Sequence, residues 1–297
     1  MSGTVDLEQL LTRLMGMPYD SLNSRHEFPL ITTRLLHSVA RKIEAAKAVR
    51  IDRATLGIFA RSVSESGASI ITFNYDDIVD QALFEIHEPD SPDPHHWHPD
   101  GGYGFFCEPS FSTITNQPMY MNECSTLLLK LHGSFNWRCR LGDSGPRAPN
   151  QILHRELWFP QTSSLRSSPA VLDRVDDYLE VDPLIVPPVL LKADLTLHPV
   201  LRLVWSRARD RLSKANRIVF LGYSFPTTDL ASKTLFREGL AMRASAELEV
   251  VNIRNAESAY LEARYKDLFG PLVPSFDFSG VVDWIHRNCT SPALPAP

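Results

Sequence analysis

No stretch of this chain approaches the run of about eighteen apolar residues that a membrane-crossing helix needs, so a spanning helix is not expected. Cysteine is scarce as well. Cys107, Cys124, Cys139 and Cys289 are the only ones, with no CxxC pair among them, which argues against a disulfide scaffold and against a cysteine-bound zinc module. Reduced thiols are the expectation. Nor is there an excess of positive charge: 30 basic side chains against 35 acidic ones leave a formal charge of -5, so no surface is advertised for nucleic acid. The opening residues, MSGTVDLEQLLTRL, form an amphipathic helical pattern and lack the charged, apolar and small-residue order of a secretory leader. A cytoplasmic location follows as the default.

What the chain does hold is material for a sizeable core, 43% of its 297 residues being hydrophobic, in one α/β domain over residues 1–290. Amphipathic helical stretches are read near Asp6 to Met15, Pro29 to Lys47 and Asp52 to Ser64, with Asp6 and Asp52 as N-caps. Ser69 to Phe73 reads as a strand and Asp76 to Glu85 as a helix, with Asn74 and Tyr75 in the turn between them. Irregular insertions are expected at about 88–125 and 141–181, flanking a strand at Leu127 to Leu131 and the turn HGSFNW. DPLIVPP, at Asp182 to Pro188, reads as a short buried strand closed by two prolines.

The remainder alternates clearly between the two periodicities. Pro199 to Ala215 is read as a helix with Leu201, Val204, Trp205, Ala208 and Leu212 on one face, and Arg217 to Leu221 as a buried strand. A helix capped by Asp229 or a neighbouring threonine, a final strand at Glu247 to Ile253 and a helix from Glu257 to Leu268 follow. Such alternation implies a mostly parallel sheet with helices on both faces. No internal repeat is present, and only the tail 291–297, SPALPAP, is expected to be disordered.

Four strand ends then carry groups able to do chemistry: Thr72, Asn74 and Asp76; His132 and Ser134; Gly222 and Ser224; and Asn252. In a parallel sheet they converge on one edge, where ligands of open α/β sheets bind. Each residue also has a plainer reading. Asn74 suits a left-handed turn, Asp76 and Asp229 suit helix caps, and Trp137 and Trp205 suit the core. His95, His96 and His98 lie together in a proline-flanked polar loop, where solvation is the usual state, so no metal is expected.

The segments TFNYDD, KLHGSFNW, PLIVPP and VFLGYSFPTTD, in that order, resemble the motif series of the sirtuin-like domains, and among these the bacterial NAD-consuming branch met in antiphage defence. The resemblance implies a Rossmann-like sheet and a site for NAD as substrate. It implies that Asn74 holds the nicotinamide ribose or the attacking water, that Asp76 lines the nicotinamide pocket, and that His132 is the catalytic histidine. Thr72, Gly222, Ser224 and Asn252 would contact the dinucleotide. His132 would act as general base, its ordinary pKa lying near the operating pH. Gly133 would let a close turn form behind the imidazole.

Two departures from that family shape the expectation. Without the four-cysteine zinc module, protein deacetylation is disfavoured and NAD hydrolysis leads. The usual first strand and glycine-rich loop, whose backbone amides cradle the pyrophosphate, have no counterpart near Gly3. The start then lies upstream, or the sheet is rearranged, or the domain has lost turnover and serves as an NAD or ADP-ribose binding or regulatory module. No nucleic acid or membrane partner is expected, while a homo-oligomer or a defence-system partner protein is compatible with the resemblance.

Overall fold

The computed structural model describes residues 52–86, 97, 99–105, 124–140, 153–154, 181–186, 199–226, 229–240, 245–270 and 272–290. The helices expected before Asp52, the three clustered histidines, most of both insertions and the tail at 291–297 lie outside them. Helix α1 (Arg53–Ser66) starts where expected: the Asp52 carboxylate accepts from the amides of Ala54 and Thr55, satisfying two of the donors that a helix start leaves open. Strand β1 (Ile70–Thr72) and helix α2 (Ile78–Glu85) follow. A short helix α3 (Pro99–Gly102) precedes β2 (Leu128–Lys130), and β1 and β2 pair in parallel, Ile71 opposite Leu129.

HGSFNW is not a turn. After Leu131 and His132 the chain enters a strand, β3 (Gly133–Arg140), which pairs antiparallel with β4 (Leu153–His154) and β5 (Val181–Ile185). The glycine and the polar residues disguised it: Ser134, Asn136 and Trp137 are all buried, so both faces of β3 are covered and the strand shows no apolar–polar alternation. An antiparallel layer therefore accompanies the parallel strands. β5 is the expected short strand, ending before Pro187.

The carboxyl-terminal half keeps the expected alternation: α4 (Pro199–Lys214), β6 (Arg217–Leu221), α5 (Leu230–Leu240), β7 (Glu247–Val251) and α6 (Ser258–Phe269). Asp229 does cap α5, its Oδ1 accepting from the Ser232 amide at 3.3 Å. Glu247 to Ile253 is not the last strand. Three further residues, β8 (Ser275–Asp277), pair in parallel with β7 and lead into α7 (Val281–Asn288).

The sheet β6–β7–β8 carries helices on both faces, and the strand period of two shows how. Phe220 meets Phe236 of α5 and Tyr265 of α6 at ring-centre distances of 5.2 and 5.1 Å, and Leu248 and Val250 join that core. Val219, Leu221 and Val251 point the other way, against Trp284 and Ile285 of α7 and Ile58 and Phe59 of α1. The fold is α/β.

One segment expected to leave the core enters it. Trp97, Tyr103 and Phe105 are all buried, Tyr103 and Phe105 meeting Trp137 of β3 edge to face at 5.1 and 4.9 Å. The Trp97 indole also donates to the Gly102 carbonyl at 3.0 Å. Proline and glycine hid this role, since punctuation residues mark a break in periodicity but say nothing about where the rings go.

Candidate functional site

The first site turn joins β1 to α2. Leu131 donates to the Thr72 carbonyl, which continues the parallel pairing to the strand ends and sets His132 beside Phe73 and Tyr75. The His132 imidazole is 5% exposed. It meets the Phe73 ring edge to face at 5.2 Å and lies over Tyr75 at 6.1 Å. Phe73 in turn stacks on Tyr223 at 4.8 Å and 15°, so the ends of β1, β2 and β6 meet through an aromatic ladder. That contact brings the His132 and Asn74 end together with the Gly222 and Ser224 turn.

Behind the imidazole, the backbone is crowded. Gly133 has φ +78, and a Cβ there would stand 2.0 Å from the Leu184 carbonyl oxygen, so only glycine fits. Val186 donates to the His132 carbonyl at 2.8 Å, the Tyr75 hydroxyl to the Val186 carbonyl at 2.6 Å, and the Ser134 hydroxyl to the Tyr75 carbonyl at 3.1 Å. The Trp205 indole donates to the Leu131 carbonyl at 2.8 Å. Trp137 is core, as expected, whereas Trp205 is half-buried and fastens the strand that carries His132.

The turn residues themselves divide by role. Asn74 is exposed, its amide donating to the Thr72 hydroxyl at 3.1 Å. The Asp76 carboxylate accepts from the Ile78 amide at 3.1 Å, an Asx turn one residue ahead of the N-cap of α2, which is Asp77 and not Asp76 as the plainer reading has it.

At the end of β6, Gly222 (φ +66) and Ser224 face solvent while Tyr223 and Phe225 anchor the turn inward. The Tyr223 hydroxyl donates to Ser232 Oγ at 2.9 Å and lies 3.3 Å from an Asp229 carboxylate oxygen. Burial, reinforced by the negative charge of Asp229, holds this phenol above its usual pKa, so it remains a protonated donor. Phe225, at φ +49, tolerates the left-handed region because its ring is buried among Phe220, Tyr223, Phe236 and Tyr265. Asn252 sits where β7 passes toward β8: its amide donates to Asp277, and its Oδ1 accepts from Ile253 at 2.8 Å. Gly222 donates to the Val251 carbonyl at 2.9 Å, so Gly222 and Asn252 occupy adjacent strand ends.

Sequence reasoning missed the buried charge beneath the first turn. Lys130 and Asp80, 0% and 1% exposed, form an ion pair at 3.0 Å. The Lys130 ammonium also donates to the Asp76 carbonyl, and Asp80 accepts from the Tyr103 hydroxyl and from Asn136. A signal existed: Lys130 is the one charged residue in the run LLLKL, and Asp80 interrupts IVDQALF. Isolated charges on otherwise apolar elements are buried only when paired.

Among the described residues, no group of three His, Cys, Asp or Glu side chains converges as a metal site would, and no helix is long and apolar enough to cross a membrane. No family model matches the chain, and no curated protein matches it either.

Proposed function

We propose that this protein is a Rossmann-like, sirtuin-like domain that hydrolyses NAD at the bond between nicotinamide and ribose. One observation carries the reading. A buried histidine at the end of β2 meets two rings, Phe73 and Tyr75, that flank an exposed asparagine in the neighbouring strand's turn, at the carboxyl edge of parallel strands. Ligands of α/β sheets bind at that edge.

In this reading Asn74 orients the attacking water and His132 takes its proton as the new carbon–oxygen bond forms and nicotinamide leaves with the bonding pair. The products are ADP-ribose, nicotinamide and a proton. Gly222, Ser224 and Asn252 face the remainder of the dinucleotide. Asp76 serves through its backbone carbonyl and the Asx turn that its side chain closes. A second reading, nucleotide binding without turnover, draws on the same geometry, because the side chains of Thr72, Asp76 and Asn252 each bond to their own turn.

The test is nicotinamide release from NAD by the purified protein. Release is expected to fall by about 10²–10⁴-fold in His132→Ala and His132→Asn, the usual contribution of a general base, with the unfolding midpoint of His132→Asn near that of the unaltered protein. Equal release from all three proteins removes His132 from the chemistry. Binding of ADP-ribose by calorimetry with no release from any of them leaves the second reading.

A further inference from the structure

The turn between β1 and α2 has a carbonyl that neither element can satisfy. Gln81 donates to the Asp77 carbonyl as α2 begins, so the Asp76 carbonyl, one residue earlier, lies outside the helical ladder. Its partner is the Lys130 ammonium. The three hydrogens of that ammonium have three acceptors: Asp76 O, Asp80 Oδ1 at 3.2 Å and Asp80 Oδ2 at 3.0 Å.

Asp80 is held in turn from two other elements. Its Oδ1 accepts from the Tyr103 hydroxyl of the α3 segment and from Asn136 Nδ2 of β3 at 3.4 Å, and Asn136 Nδ2 lies 3.2 Å from Tyr103 Oη. All four side chains are buried, Lys130, Tyr103 and Asn136 at 0% exposure. A well-packed apolar pair of the same volume would stabilise the fold about as well, because desolvating two charges offsets most of their attraction. What an apolar residue at position 130 cannot do is donate to the turn.

Lys130 stands two residues before His132 on the same strand end, and Tyr75, one residue before Asp76, lies over His132. The lysine thus joins the turn that carries Asn74 to the strand that carries the histidine. We propose that Lys130, charge-balanced by Asp80, is a positioning residue that fixes the Phe73–Asp77 turn against His132. The inference rests on the reading of that turn as part of the site, yet its test needs no turnover.

The double variant Lys130→Met, Asp80→Asn removes both buried charges and keeps an acceptor for Tyr103 and Asn136. Its amides at residues 74–77 are expected to exchange with solvent about tenfold faster or more, a local opening, and the His132 ring resonances to shift as Tyr75 moves. Amides of β6 and β7 should exchange as before. Unchanged exchange at 74–77 together with unshifted His132 resonances overturns the proposal.

Should the double variant fail to fold, the unaltered protein decides by itself. The Lys130 ammonium protons should be protected from solvent exchange and show cross-relaxation to Asp76 or Ile78. Exchange as fast as at surface lysines overturns the proposal. Nicotinamide release, measured in parallel, separates the two claims: a loosened turn with no release from any form removes the hydrolase reading and leaves the positioning role standing.

Discussion

The two halves of the candidate site use the same plan, a strand followed by a polar turn, and differ in how far the bonds at their strand ends reach. At β1 and β2 the bonds reach far along the chain: Lys130 to Asp76, Ser134 to Tyr75, Tyr75 to Val186 and Trp205 to Leu131. At the ends of β7 and β8 the side-chain bonds stay local, Asn252 to Ile253, Asp277 to Ser279 and Arg287 to Asp277, while long-range bonds lie within the sheet, where Glu249 accepts from Arg217 and Trp284, and under the β6 turn, where Tyr265 donates to the Tyr223 carbonyl. Long-range buried bonds open only when several elements separate, whereas local exposed ones open singly. The surroundings of His132 are therefore held by buried long-range bonds, and the turn at Asn252 and Asp277 by local, more exposed ones.

The largest test of that contrast removes the charge that balances Lys130. Asp80→Ala leaves an ammonium buried without its carboxylate, and breaking a buried pair from one side costs about 3–5 kcal/mol. Denaturant unfolding should show the loss as a lower midpoint with unchanged slope. A cost under about 1 kcal/mol would mean that water reaches Lys130 and that this half is no better ordered than the other. Next is Gly133→Ala. The added methyl would meet the Leu184 carbonyl in a backbone region that alanine disfavours, and strain with overlap should cost about 2–4 kcal/mol. Nuclear magnetic resonance should show displacement confined to His132 and β5.

Much of the fold was legible where it depends on neighbours in sequence. Asp52 caps α1 and Asp229 caps α5, and α4 buries Leu201, Val204, Ala208 and Leu212 as its period implies. The strands β1, β2, β6 and β7 lie within the expected stretches. What escaped depends on distant partners. β3 reads as a turn until β5, more than forty residues on, is placed beside it. β8 is three residues long, too short for any periodicity, and exists because β7 offers an edge. The strand-end positions of the candidate residues were legible because a polar residue closing an apolar run is a local feature. The partners that orient them, Lys130, Asp80, Tyr103 and Asn136, come from four separate elements, so no spacing announces them.

The second half should respond to acid more than to deletion. Asp277 is held below its ordinary value of 3.8, first by the Ser279 amide and hydroxyl and then by the Arg287 charge. A depressed carboxylate contributes stability that is fully present above its unfolded value and is lost as pH falls through the folded one. The stability of the unaltered protein should therefore decline below about pH 3.8, and Asp277→Asn should flatten that part of the curve. At neutral pH this substitution is expected to cost under about 1 kcal/mol, and less in high salt, because the Arg287 pair is partly exposed. A neutral-pH cost as large as that of Asp80→Ala would erase the distinction between the halves.

The smallest expected effects come from the turn residues Ser224, exposed, and Asn252, half-buried, and they sharpen the comparison most directly. Ser224 faces solvent, and among the described residues the Asn252 side chain bonds the next amide, that of exposed Ile253, which water can satisfy in its absence. Ser224→Ala and Asn252→Ala should change stability by no more than about 0.5 kcal/mol, as surface substitutions do. Under the proposed function they should nonetheless weaken NAD binding measured by calorimetry, each by about 1 kcal/mol for a lost hydrogen bond. Loss of affinity without loss of stability marks a surface that acts only when a ligand arrives. Loss of stability by more than about 1 kcal/mol would show instead that these turns, like the one under Lys130, hold the fold together, and the division of labour between the two halves would fail.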